Sequence, residues 1–452
     1  MTGFWDVQTV CAAVDGVVHG DGRVATAGVF HDTREPVAGG LYVALRGDVH
    51  DGHDWCATAV EAGAVAVLVE RRCSLPSHIA QIEVVDTRRA LLVLAAQWCE
   101  RSLDGVRRIA VTGTAGKTTT KDLLHAIGAA AGSVHASPRS FNNDIGVPMT
   151  LLGCRASDAV LIAEVGTSAS GEIAPLAAAI QPNVSIITLI GEGHLEGLGT
   201  VEAVQAEKYA LAQATSERVL LGESCGDDPH TAACIERFGF GSQCDHHVEL
   251  RGGVVVNGVA WPAVLPGRHG AMNIAAAVCA AQAIGIGDDA IKCGLERASI
   301  SAGRFGVEQV GSMTLIDDTW NSNPQSLEAS LAAAVELAAG RPLAVVLGAM
   351  RELGSHSVAA HERMGEVLKP LNLEAMVLFG AETRPALVAC PDALYLSDAD
   401  EQSLRLASET VRGEGRVVLV KGSRSLHLER LVELLRFETQ ENDDRRTMRA
   451  QG

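Results

Sequence analysis

Short unbroken runs of β-branched and aliphatic residues alternate along this chain with stretches whose apolar positions recur every three to four residues. Runs of the first kind read as strands buried on both faces, and stretches of the second as helices laid over them. The pattern divides into three textures. Up to about residue 100, apolar runs at Leu41–Leu45 and Ala64–Val69 flank a polar loop, GDVHDGHDW, from Gly47 to Trp55. A helical pattern follows around Ala90–Cys99, so this part predicts a small α/β module. From Arg107 onward the strands Ile109–Thr112, Ala159–Val165, Val184–Ile190 and Arg218–Leu221 are predicted, with helical segments between them. Such alternation predicts parallel strands joined by right-handed crossovers, with ligands received at the carboxyl ends. After Gly303-Arg304-Phe305 a further α/β unit is predicted, with strands Met313–Ile316, Leu343–Leu347, Met376–Phe379 and Arg416–Val420. Its strongest helix runs from Ser326 to Ala339, with Pro324 just ahead, where helix starts tolerate proline. The charged tail from Glu438 has no period and is expected to fray.

Length and composition narrow this picture. At 452 residues the chain exceeds what one core usually serves, so the expected domains are 1–100, 101–308 and 309–452. The 55 acidic against 37 basic residues give a formal net charge of -18, which argues against nucleic acid or an anionic membrane as partner. An anionic small molecule must then be met by local basic residues or by backbone amides. The apolar run Ile274–Ile284 is about eleven residues, short of the roughly 20 needed to span a bilayer, and no leader pattern is visible. The 11 cysteines are scattered and never in CxxC spacing, as in a reducing cytoplasm. The group Cys225, His230, Cys234, Cys244, His246 and His247 fits no structural zinc spacing and reads as solvated loop residues and small core thiols.

The chemistry concentrates in TGTAGKTT, Thr112–Thr119, which follows a predicted strand and opens a predicted helix. Gly113 and Gly116 lack a Cβ and let backbone amides converge on an anion at the positive helix end. Thr114 and Ala115 complete the turn, Lys117 reaches toward terminal phosphates, and Thr118 or Thr119 offers a hydroxyl to Mg²⁺. The generic phosphate motif has glycine six positions before the lysine; here that position is Val111, so the loop is tighter. The next predicted strand ends at Glu164, a carboxylate that is costly there unless it meets a cation. The strand after it leads to His194, a side chain directed to the same crevice.

The chain resembles the Mur ligases. The residues that carry the likeness are Asp32-Thr33-Arg34, DGHDW, TGTAGKTTTK, NNDIGVP from Asn142, EVGTSASGEI from Glu164, GEGHLEGLG, DDTWNSNPQS from Asp317, LGAMRELG and VLVKGSRS from Val418. The resemblance implies a small N-terminal α/β domain that binds a UDP-linked substrate, a central doubly wound ATPase domain of the phosphate-loop kind, and a C-terminal Rossmann-like domain. It implies amide-bond formation driven by ATP and Mg²⁺ through an acyl phosphate, adding D-alanyl-D-alanine to UDP-N-acetylmuramoyl-tripeptide in the cytoplasm. A monomer working on small molecules is expected. Lys117, His194 and Lys208 would be catalytic; Thr118, Glu164, His194 and Lys208, the last as a carbamate, would hold metal. The nucleoside would meet Asn273, Arg304, Asp317 and Asn321. Thr33 and Arg34 would meet the UDP, Asn142 and Asn143 the sugar-peptide end, and Lys421, Ser423 and Arg424 the incoming dipeptide's carboxylate.

Four motifs depart from the family pattern. The usual ITNIGEAH is ITLIGEGH at Ile187–His194, GxHNxxN is GRHGAMN at Gly267–Asn273, PGR is AGR at Ala302–Arg304, and GDM is GAM at Gly348–Met350. None removes Lys117, Glu164, His194 or Arg304, so the reacting centre is retained while the nucleoside pocket and rim have changed. This leaves open a paralogue joining another amine to another carboxylate. A non-catalytic nucleotide-binding scaffold is disfavoured by the joint retention of Lys117, Glu164, His194 and Lys208.

Overall fold

The computed structural model describes residues 5–437, so the tail expected to fray from Glu438 lies outside the described residues. Three sheets follow one another along the chain. The first holds β1 (Val17–His19), β2 (Val29–Phe30), β3 (Leu41–Val43), β4 (Ala66–Val69) and β5 (Ala80–Glu83) in the order β1-β5-β4-β3-β2. Only β1 in this sheet runs antiparallel, against β5.

The expected polar loop at Gly47–Trp55 is helical in its second half. A 3₁₀ turn at Gly52–Trp55 runs into a helix at Cys56–Glu61. The cause is local: the Asp51 carboxylate accepts from the His53 amide at 3.0 Å and caps the turn. His53 is buried, its Nδ1 at 2.6 Å from Asp51 Oδ1 and its Nε2 accepting from the Glu70 amide at 2.8 Å.

The central sheet comprises β6 (Arg107–Thr112), β7 (Val134–Ala136), β8 (Val160–Glu164), β9 (Val184–Ile187), β10 (Arg218–Gly222), β11 (Cys234–Gly239), β12 (His246–Leu250), β13 (Val254–Val256) and β14 (Val259–Trp261). Its order is β14-β13-β12-β11-β10-β9-β6-β8-β7, parallel from β7 through β12 and antiparallel beyond. The sequence pattern finds β6, β8, β9 and β10 and misses β7 and β11 to β14. Of these, β11 and β12 carry charged residues on half-exposed positions, as in CIERFG and HHVEL, while β7, β13 and β14 are only three residues long. Cys234, His246 and His247 therefore stand on strands instead of loops, with His246 Nε2 at 2.8 Å from Glu236 Oε2.

One face of the central sheet is covered by helices Lys117–Ala131 and Gly267–Ala283. The other face shares a core with the first sheet through helix Thr87–Ser102, whose Leu91 and Leu94 are fully buried.

The third sheet has β15 (Gly306–Val310), β16 (Met313–Asp318), β17 (Leu343–Gly348), β18 (Leu373–Phe379), β19 (Leu394–Leu396) and β20 (Val417–Lys421) in the order β15-β16-β20-β17-β18-β19. All its pairings are parallel except β15 with β16. The helix expected from Ser326 starts at Pro324. There Asn323 Oδ1 accepts from the Ser326 amide at 2.9 Å and the Ser326 hydroxyl accepts from the Asn323 amide at 3.1 Å, closing a capping box. No helix among the described residues is long and apolar enough to cross a membrane.

Candidate active site

A cleft of about 880 Å³ opens at the carboxyl ends of the central strands. It is lined by Arg88 from the helix behind the first sheet, by the Thr114–Thr119 turn, and by Asp318, Trp320 and Lys421 from the third sheet and its loops.

The loop that follows β6 needs its glycines. Gly116 has φ +85°, and a Cβ there would lie 2.5 Å from Asn273 Oδ1; one at Gly113 would lie 2.0 Å from Thr188 Oγ1. Helix Lys117–Ala131 begins directly after Gly116, which aims its free amides into the cleft. Lys117 Nζ donates to Gly113 O at 2.8 Å, so the lysine folds back over its own loop. Burial lowers its pKa, with Glu164 opposing and Arg304 adding to the fall.

Glu164 closes β8 on the neighbouring strand and is 1% exposed. Its Oε1 accepts from Thr118 Oγ1 at 3.0 Å and from Asn142 Nδ2 at 2.8 Å, while Oε2 is buried with no partner among the described residues. On the other side of β6, the loop after β9 carries His194 at φ +59°. His194 Nδ1 lies 2.6 Å from Glu352 Oε2, and this contact holds the Glu352 carboxyl below its usual range. Glu352 belongs to the loop after β17, so the pair joins the central and third sheets. Sequence reasoning missed Glu352, since a contact between distant loops leaves no local pattern.

Lys208 lies inside helix Val201–Gln213, is fully buried, and its Nζ has no hydrogen-bond partner among the described residues. Burial lowers its pKa well below that of a free lysine, and the charge of Lys117 adds to the effect. The neighbouring Glu207 is spent on structure, accepting from the Gly171 and Ile173 amides at 2.7 Å each.

Against this geometry, residues 111–281 match the family model for the Mur ligase middle domain, and residues 303–424 that for the Mur ligase glutamate ligase domain. The UDP-N-acetylmuramoyl-tripeptide–D-alanyl-D-alanine ligase of Synechocystis is 34% identical over 421 residues, covering 90% of this chain and 91% of that protein. The chain belongs to the Mur ligase family. The Bacillus subtilis ligase of the same name is 31% identical over 426 residues, 90% of this chain and 92% of its own. MurF from Acinetobacter baumannii superimposes with a TM-score of 0.83 at 29% identity, covering 96% of this chain and 98% of that one. MurF from Thermotoga maritima, solved in complex with ADP, gives 0.77 at 26% identity over 92% and 98% of the two chains.

In this Mur ligase the residues singled out from the sequence divide into three groups. Lys117, Thr118, Thr119, Asn142, Asn143, Glu164, His194, Asn273, Arg304, Asn321 and Lys421 line the cleft. Asn143 also has a structural task, since its Oδ1 accepts from the Gly146 amide at 2.8 Å and caps the next helix. Arg304 donates to Ser140 Oγ at 3.2 Å and lies over the Trp320 ring, centroid 5.1 Å, with Arg424 stacked 5.0 Å from the same ring.

A second set, which includes the cleft-lining Lys421, has its polar atoms engaged by protein partners. Asp317 accepts from Thr319 Oγ1 at 2.7 Å, and it is the adjacent Asp318 that faces the cleft. Lys421 is 2% exposed and donates to Asp318 Oδ2 at 2.6 Å and to Asn321 O at 2.9 Å. Ser423 Oγ accepts from the Arg351 amide at 2.9 Å, and Arg424 pairs with Glu429 at 2.9 Å. Thr33 and Arg34 form the third group, outside the cleft on the first module. Arg34 is exposed and pairs with Asp32 at 2.6 Å, which holds the Asp32 carboxyl at about 2.

Proposed function

We propose that this Mur ligase joins D-alanyl-D-alanine to the terminal carboxylate of UDP-N-acetylmuramoyl-tripeptide at the cost of ATP. The observation that carries this reading is the convergence of the Thr112–Thr119 loop, Glu164 and His194 at the ends of three adjacent parallel strands, β8, β6 and β9. The tripeptide carboxylate oxygen attacks the γ-phosphorus, the bridging P–O bond to ADP breaks, and an acyl phosphate forms. The dipeptide amine then attacks the acyl carbon, phosphate leaves, and the amine proton passes to solvent or phosphate.

The chain's part is alignment and charge neutralisation. The loop amides and Lys117 hold the transferred phosphoryl group, and Arg304, fixed against Trp320, faces it from the third module's side. Asn273 and Asn321 are assigned to the nucleoside end, with Asp318 facing the cleft where the resemblance pointed to Asp317, Thr33 and Arg34 to the UDP, and Asn142 and Asn143 to the sugar-peptide. Lys421, Ser423 and Arg424 frame the dipeptide end; their present partners make them supports of that wall more than free anion receptors.

The residues present fit Mg²⁺. Glu164 Oε2 is a buried carboxylate oxygen without a partner among the described residues, and Thr118 Oγ1 stands beside its other oxygen. Hard oxygen donors suit that cation, which when bound neutralises phosphate charge. His194 and a carbamate on Lys208 complete the donor set in this reading. An amine that burial keeps neutral is the form that adds to CO₂, and carbamylation would turn Lys208 into an anion. With ¹³C-bicarbonate, the wild type should show a carbamate carbon resonance that Lys208→Met lacks. Identical spectra would remove Lys208 from the metal site.

We place three domains near the expected 1–100, 101–308 and 309–452, each built on one sheet. Because β15 (Gly306–Val310) hydrogen-bonds within the third sheet from its first residue, the second join moves a few residues earlier than the expected 308/309, to just ahead of Gly306. All eleven cysteines are free, as suits a reducing compartment, and the chain is read as a cytoplasmic monomer.

Substrate profiling tests the whole assignment. Phosphate release from ATP should require both UDP-N-acetylmuramoyl-tripeptide and D-alanyl-D-alanine, with little turnover when either is omitted. No turnover with that pair, and turnover with another carboxylate and amine, would overturn the substrates and leave the ligase chemistry standing.

A further inference from the structure

Two of the eleven cysteines meet in the first module, away from the cleft. Cys73 Sγ lies 3.5 Å from Cys56 Sγ. Cys56 opens the helix Cys56–Glu61 and is 1% exposed, whereas Cys73 is partly exposed in the irregular segment between β4 and β5. A disulfide needs its sulfurs at about 2.05 Å, so the pair has roughly 1.5 Å to close.

The two sides differ in how freely they can move. Cys56 is fixed in the helix start, against the Asp51-capped turn. Cys73 is held by side-chain bonds in place of a strand ladder: its amide donates to Gln81 Oε1 at 2.9 Å and its carbonyl accepts from Gln81 Nε2 at 3.0 Å. Such a segment can shift by an ångström without breaking the sheet. The neighbouring Arg71 is tied to Asp51 at 2.9 Å, which keeps the segment folded over the helix start. Sequence spacing hid the pair, because the residues are 17 apart and meet through the β4 turn.

We propose that Cys73 and Cys56 form a reversible thiol–disulfide staple that responds to small-molecule disulfides. Cys73, the accessible thiol, attacks a disulfide such as oxidised glutathione as its thiolate, forming a mixed disulfide and releasing one glutathione thiolate. Cys56 then loses its proton to solvent and attacks Cys73 Sγ, and the second glutathione leaves as thiolate. The net change is two protein thiols oxidised and one glutathione disulfide reduced to two thiols. The order of attack follows from burial, which raises the Cys56 thiol far above its usual range, with the bond from Cys73 adding to it. The closed staple ties the β4–β5 segment to the helix start and removes freedom from the unfolded chain, so the oxidised protein resists heat better.

The test is to incubate the full chain with oxidised glutathione, then count free thiols and map non-reduced peptides by mass spectrometry. The wild type should yield a linked Cys56–Cys73 peptide, with neither cysteine left free, and gain thermal stability, all reversed by dithiothreitol. Cys73→Ser, a change at a partly exposed position, should give no linked peptide and no oxidation-dependent shift in melting temperature. Cys56→Ala should stop at a glutathione adduct on Cys73. Stable glutathionylation of Cys73 in the wild type without the linked peptide would overturn the staple, as would an unmodified Cys73.

Discussion

Replacing Lys117 by alanine is expected to lower the rate of ATP-dependent phosphate release by a factor on the order of 10²–10³ or more, the usual cost of removing one preorganised charge from a reacting centre. The fold should survive. Among the described residues, the acceptor that Lys117 Nζ meets is Gly113 O, and burial already disfavours its charge, so its removal takes away a desolvation cost along with one hydrogen bond. The melting temperature without ligand should therefore hold or rise slightly, while turnover collapses. Single-turnover phosphate release and calorimetry on the same preparation separate the two effects. Turnover within a few-fold of wild type would remove the loop lysine from the chemistry. A large loss of stability would mean that Lys117 serves the loop and not the phosphates.

The parts of this molecule that sequence discloses are those whose cause is local. β6, β8, β9 and β17 are buried on both faces and hence written as continuous apolar runs. The phosphate loop is legible because only glycine tolerates the backbone at Gly116, and because a lysine and threonines must follow at fixed spacing. The less legible parts depend on partners far along the chain. The strands β11 and β12 extend the sheet with one half-wet face, so their apolar residues are interrupted by Glu236, Arg237 and Glu249, and β13 and β14 are three residues each. Glu352 reaches His194 across two modules, with nothing in either segment to announce the other.

The Asp317-Asp318 pair shows the limit most plainly. Successive residues on a strand face opposite sides, and the resemblance alone pointed to Asp317, yet the strand's register turns Asp318 to the cleft. Lys208 is an intermediate case. Its spacing after His194 marks it by family likeness, but its complete burial and unpartnered amine become visible only when the helix is packed.

That register makes the second large effect an architectural one. Lys421→Met is expected to destabilise the protein by about 3–5 kcal/mol, the cost of leaving one member of a buried ion pair uncompensated. Asp318 is the member left behind, and it is also the point where the third sheet grips its approach from the central one. Its Oδ2 accepts from Lys421 Nζ and from Ser330 Oγ at 2.6 Å each, and its Oδ1 accepts from the Phe305 amide at 3.1 Å. Phe305 follows Arg304 directly, so loosening Asp318 should also loosen the guanidinium that faces the phosphates. Denaturant unfolding should show the loss, and the double variant Lys421→Met with Asp318→Asn should recover much of it because no bare charge remains. Activity in the double variant would still fall, through Arg304, mainly in the maximal rate. The opposite pattern, with stability intact and the loss confined to KM for D-alanyl-D-alanine, would make Lys421 a free receptor for the dipeptide carboxylate and its bond to Asp318 incidental.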